Sequence, residues 1–169
     1  MSAARPLEPW RWLFLPLGWC ALATILFGVP LHVFQWQLPE PVFPMVLAFA
    51  WAVIRPSVLP PFAVLALGLF LDAFWGGLQG LWPISLLAAY SAALAVRRLI
   101  MGQDFLVTWA WYGGATAAAF GVGLLVLTLK ADAMPSLAPL AWQFLASLAL
   151  YPFADRLIRR YEDADVRFR

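Results

Sequence analysis

Few side chains in this sequence could take part in chemistry, and their spacing argues against turnover. The chain has one histidine, His32, and one cysteine, Cys20, twelve residues apart in the same apolar stretch. A nucleophile and its base so placed would have to meet across several helical turns. A single cysteine also excludes a disulfide within the chain. Metal-ligand spacings, a phosphate-cradling glycine loop and a zinc-protease helix motif are all missing. The chain is therefore read as a non-enzyme, with no catalytic residue, metal or cofactor expected and no nucleic-acid partner. Asp72 stands apart, because an ionisable group that interrupts an apolar run is a functional candidate by default. In Gly68-Leu69-Phe70-Leu71-Asp72-Ala73-Phe74-Trp75-Gly76, the glycines four before and four after share its helix face. That spacing leaves room for another helix or for backbone donors near the carboxylate. Asp72 is then either an outer-end residue bonded to the Gly76–Gly80 loop or an ion-coupling group. The second role wants a partner charge, and Lys130 is the one basic residue on that side.

The elements that position Asp72 follow from composition. Of 169 residues, 64% are hydrophobic and 12% charged, against about 45–50% apolar and about 25% charged in soluble domains. A domain near 150 residues buries only about 70% of its unfolded surface, so this apolar excess must face lipid. Uncharged runs extend from Trp12 to Pro39, Pro41 to Ile54, Pro56 to Leu71, Ala73 to Val96, Phe105 to Leu129 and Ala133 to Ala154. Crossing the hydrocarbon core takes roughly 20 apolar residues, and the first, fourth, fifth and sixth runs supply them. The second is short and is entered through Pro39, Pro41 and Pro44; the third is long enough only if Asp72 lies in the helix or at its outer end. A shallow hairpin of runs two and three would leave Arg55 at mid-membrane, at a cost of about 2.5–3.5 kcal/mol. Two crossings joined by a tight inner turn at Arg55-Pro56 are preferred. The expected fold is all-α, a single bundle of six transmembrane helices with short loops over residues 1–154, followed by a charged cytoplasmic tail over residues 155–169.

Lys and Arg are retained inside during insertion. With the N-terminus inside, ten of the eleven basic residues face the cytoplasm and only Lys130 faces out. Both termini are expected to be cytoplasmic. The Leu17-Gly18-Trp19-Cys20 sequence superficially invites a lipoprotein signal, but Trp19 is bulky where a small residue is needed and the apolar run outlasts a signal core. The first span is read as a permanent anchor.

Small residues recur at helical spacing as Ser85, Ala89 and Ala93 and as Gly113, Ala117 and Gly121. These stripes are read as packing faces within the bundle, with a docked partner helix as the alternative. Trp10, Trp12, Trp36, Trp75, Trp82, Trp109 and Trp111 fall near run boundaries and are read as interfacial anchors. Arg156, Arg159 and Arg160 follow the last run and would hold it to the anionic inner leaflet, each contributing about 1 kcal/mol. A docking site for a cytoplasmic protein is the other reading of that segment.

The central block reads Arg55-Pro56, then Pro60-Pro61, then Gly68-Leu69-Phe70-Leu71-Asp72, then Gly77-Leu78-Gln79-Gly80-Leu81. With six short-looped spans and both ends inside, it resembles MreD, the rod shape-determining inner-membrane protein family of bacteria. The motif covers about thirty residues from Arg55 to roughly Leu87, and the rest of the likeness rests on hydropathy. The resemblance implies a bacterial inner-membrane scaffold of the elongation machinery that binds MreC and acts with MreB, RodA and penicillin-binding protein 2. On that reading Arg55, Pro56, Gly68, Asp72, Gly76 and Gly80 are the partner-binding or structural candidates. The family's fold is similar to the substrate-binding subunits of energy-coupling vitamin transporters, which supplies the rival function, although a shared fold does not fix function. Reporter fusions after Arg98 and Arg169 should score cytoplasmic and one at Asp132 periplasmic; a reversal at any of the three would sink the six-span reading.

Overall fold

A computed structural model describes residues 10–28, 40–54, 57–130 and 137–166, and every regular element among them is helical. A π-helical turn, Trp10–Phe14, leads into α1 (Leu15–Phe27); α2 (Phe43–Ile54), α3 (Leu59–Trp75), α4 (Leu81–Ile100), α5 (Phe105–Lys130), α6 (Leu137–Leu148) and α7 (Tyr151–Val166) follow.

Two helices, α4 and α5, are long and apolar enough to cross a membrane, whereas α1, α2 and α3 are shorter. Burial bears on which solvent they face. Only 39% of the apolar stretch of α4 and 33% of that of α5 is buried. Residues such as Leu106, Leu125 and Leu129 lie exposed on α5. An exposed apolar surface on this scale marks contact with lipid or with another protein. Opposite behaviour is seen in α2, where every residue from Pro44 to Val53 is buried. It is apolar all round, as a fully enclosed helix must be, and it packs against α1, α3, α4 and α7.

Enclosing a helix encloses its ends, where the first N–H groups have no partner within the helix. Proline removes such a donor, and it sits in the first turn of six of these helices as Pro16, Pro44, Pro60, Pro61, Pro83, Pro139 and Pro152. At the start of α2 every donor is answered. Val42 N–H donates to Ser147 Oγ at 3.1 Å, Phe43 N–H to the Pro41 carbonyl and Met45 N–H to the Val42 carbonyl, and Pro44 has none to satisfy. Ser147 in turn donates to the Gln143 carbonyl at 2.8 Å, and its own carbonyl accepts from Tyr112 Oη at 2.9 Å. Tyr112 packs edge-on against Phe49 and beside Tyr151, so α2, α5, α6 and α7 meet at this point. At the other end of α2, Arg97 Nε donates to the Val53 carbonyl at 2.7 Å, placing a cation at the negative helix terminus.

Three boundaries differ from the run-by-run reading. Helix α3 continues through Asp72 to Trp75, one of the two placements open to that residue, but α4 starts only at Leu81 and not at Ala73, because Gly76 and Gly80 adopt φ of +63° and +90° and break the run between them. The sixth run divides at Ala149-Leu150, where Pro152 opens a new helix. The charged segment after Ala154 continues as helix in α7 to Val166. Trp12, read as an interfacial anchor, is instead buried, and its carbonyl accepts from Trp51 Nε1 at 3.3 Å.

The small-residue stripes also separate. Ser85, Ala89 and Ala93 are all buried between helices. Gly113 faces Leu148 of α6, but Ala117 and Gly121 lie exposed, and nothing stands within 4 Å of a Cβ placed on Gly121.

Replacing Ser147 with Ala should strand the Val42 N–H and destabilise the protein by about 1–3 kcal/mol. Unfolding in detergent would show this as a lowered midpoint, with Ala146→Ser as a nearby control expected to change little.

Candidate functional site

Four of the sequence candidates meet in the α3–α4 hairpin. Helix α3 closes with Gly76 in the left-handed region, its N–H bonded to the Asp72 carbonyl at 3.1 Å. A side chain there would cost about 1–2 kcal/mol. Gly76 is therefore a helix cap and not part of the face it was expected to share with Asp72. The chain then turns through residues 77–79, and Gly80, also left-handed, caps the start of α4.

Asp72 locks this turn. Its side chain is buried, Oδ2 accepts from Gly80 N–H at 2.6 Å and Oδ1 accepts from Trp82 N–H at 3.1 Å. Between these donors, Leu81 N–H bonds the Leu78 carbonyl, Pro83 has no N–H, and Ile84 N–H reaches the Gly80 carbonyl. Each backbone donor in the first turn of α4 is thus satisfied. An ionised carboxylate at a helix N-terminus also gains from the helix dipole, and charge-assisted bonds are stronger than neutral ones. Of the two roles open to Asp72, the geometry shows the hydrogen-bonded one, with both oxygens engaged by backbone.

Gly68 makes the hairpin close. A Cβ on it would collide with the Cα of Pro83 and come within 2.6 Å of its nitrogen, so α3 and α4 touch backbone to backbone at this level. Two turns further along α3, the indoles of Trp75 and Trp82 pack at 4.8 Å between ring centroids, tilted by 56°. What the hairpin shows to its surroundings is the tip, where Gly77 and Gln79 are exposed.

The remaining candidates lie elsewhere. Arg55 and Pro56 fall outside the described residues. On α7, Tyr151, Ala154 and Ile158 form the buried stripe, while Arg156 and Arg159 are exposed. Arg159 pairs with Asp155 at 2.8 Å one helical turn back, a surface contact contributing roughly 0–1 kcal/mol. Arg160 is within α7, and its side chain lies outside the described residues. Helix α7 packs chiefly on α2, so the basic group and the hairpin are separate features.

A second polar cluster was missed in sequence. Between α2, α4, α5 and α6 lies a cavity of about 120 Å³ whose lining includes Met45, Trp82, Ser85, Phe120, Gly123 and Gln143. Ser85 had been read only as a small packing residue, and Gln143 had drawn no attention because one amide in an apolar helix carries no spacing signal.

The chain matches no family model, no curated protein and no solved structure.

Gly68→Ala should force α3 from α4 and cost about 1–3 kcal/mol. Asp72→Asn, which retains one acceptor, should cost less than Asp72→Ala, which strands both N–H groups. Thermal unfolding of the three variants checks the order.

Proposed function

We propose that this chain is a multi-pass bacterial inner-membrane protein with six spans and both termini cytoplasmic. In this reading it is a non-enzymatic scaffold of the cell-elongation machinery, and packing against partners is its activity. It binds the membrane-spanning and membrane-proximal part of MreC and links wall synthesis by RodA and penicillin-binding protein 2 to the MreB filaments inside.

The observation that carries this reading is the hairpin. The block that resembles MreD in sequence folds into a fixed turn whose carboxylate is engaged by backbone, as befits a surface to be held in shape and not a reacting group. Further support comes from the exposed Ala117–Gly121 face of α5, where a partner helix could approach closely. The basic face of α7 suits the anionic inner leaflet or a cytoplasmic protein. The rival reading, a vitamin-type transporter subunit, would want a site of about 300–1,000 Å³ for its ligand. Among the described residues, the cavity between α2, α4, α5 and α6 holds about 120 Å³ and an open groove along Phe14, Gly18, Trp19 and Leu22 about 260 Å³.

Depletion in the native host tests the proposal. Cells should widen and round, with disordered insertion of new wall and no rescue by vitamins; retained shape with growth dependent on a supplied small molecule would favour the transporter. At the level of contact, Gly121→Leu should leave the unfolding midpoint unchanged or slightly raised, since glycine is a poor helix former, yet reduce co-purification of MreC. Undiminished co-purification would remove that face from the interface.

A further inference from the structure

Among the described residues, the buried serine and threonine hydroxyls follow a pattern that one residue breaks. Thr24, Thr108, Thr116 and Ser147 each donate to the carbonyl four residues back, at 2.9, 3.2, 2.8 and 2.8 Å. Ser85 is equally buried, at 3% exposure, and makes no hydrogen bond among the described residues. Its Oγ points across to α5, where a Cβ on Gly123 would come within 2.9 Å of it. Glycine at 123 thus keeps the space in front of the hydroxyl open. From α6 the half-buried Gln143 side chain lines the same cavity, and its amide makes no hydrogen bond among the described residues. The Ser85 hydroxyl and the half-buried Gln143 amide thus open onto one cavity, each with donor and acceptor capacity that no described residue takes up.

We infer that the cavity between α2, α4, α5 and α6 is a binding site for the hydroxyl-bearing end of an uncharged, slender apolar chain, held by Ser85 and Gln143. An uncharged ligand suits the site, since no charged side chain is among the described residues that line it. Serine hydroxyl and glutamine amide can each donate and accept, and the group that answers both is another hydroxyl. Aliphatic and aromatic walls, Met45, Trp82 and Phe120 among them, suit the chain that carries it. The volume of about 120 Å³ is close to the roughly 150 Å³ of an apolar cavity that takes up benzene, room for the last few carbons of a chain and its hydroxyl. This site stands whether or not the scaffold reading does.

The test uses the purified full chain in lipid nanodiscs and an octanol carrying a photoreactive diazirine near its hydroxyl, with labelled peptides located by mass spectrometry. Labelling should concentrate on the segments around Trp82–Ser85 and Phe120–Gly123. Unlabelled octanol should compete about fivefold better than octane, the margin of one net hydrogen bond. Ser85→Ala should remove most of that preference; should it fold poorly, Gln143→Leu reports the same loss from a less buried position. Label spread evenly over the outer helix faces, equal competition by octane, or a preference unchanged in both variants would overturn the site. Failure of octanol to compete at all, as expected for a cavity holding only water, would overturn it too. Lipid analysis of the protein as purified then separates the sources: a hydroxyl-bearing lipid displaced by octanol marks a resident lipid, and labelling without one marks a free alcohol, both consistent with the site.

Discussion

Two helix starts sheltered by neighbouring helices, those of α2 and α4, govern this structure. Each helix begins with N–H groups that cannot bond within it, and where a start is buried among other helices the protein itself must answer them. Proline deletes one donor from most of these first turns at little conformational cost, since its fixed φ already suits a helix. The donors that remain are met by side chains brought from elsewhere. Asp72 reaches forward from α3 to cap α4, and Ser147 reaches from α6 to cap α2. The arrangement of α2, α3, α4 and α6 is thus pinned by a handful of polar contacts, while dispersion and close backbone approach, as at Gly68, fill the space between them.

That constraint explains why α2 can be short and wholly enclosed. Twelve residues span only about 18 Å, and both ends of so short a helix, buried from Pro44 to Val53, are sheltered by its neighbours. Ser147 shelters the first end, and Arg97 and the Trp12–Trp51 contact secure the last. With α2 at the centre, the surrounding helices turn small residues inward, as α4 does with Ser85, Ala89 and Ala93, and leave large apolar side chains outside. The pattern inverts that of a soluble domain, where exposed leucines would be an aggregation hazard.

How much of this could be read from sequence depended on how local the signal was. The Asp72 hairpin was legible because its parts lie within thirteen residues: an acid in an apolar run, and glycines where left-handed turns and close approach are needed. Its meaning was less so, since spacing placed Gly76 on the face of a helix that in fact ends there. The division of the sixth run was signalled by Pro152 but hidden by uniform hydropathy on either side. Ser147 was not legible at all. Its partner Val42 is 105 residues away, and a serine in an apolar helix looks like any other that bonds its own preceding turn. Similarly, the two halves of the α5 stripe are indistinguishable in sequence, and only the direction of approach of α6 decides that Gly113 is covered and Gly121 is not.

The same reasoning separates two kinds of buried polar residue in an apolar bundle. A group whose hydrogen bonds all close on the protein's own backbone is explained by the fold, and removing it should first be felt as lost stability. Asp72 and Ser147 are of this kind, so any effect of their loss on a partner acts through the shape they hold. A group that is buried at similar cost yet closes no bond is not explained by the fold, because alanine in its place would leave the same contacts and no unmet hydroxyl. Ser85 is of this second kind. Its position opposite a glycine that keeps the space open, with an amide on the third helix that no described residue engages, makes the cavity the place where hydrogen bonding is left open among the described residues.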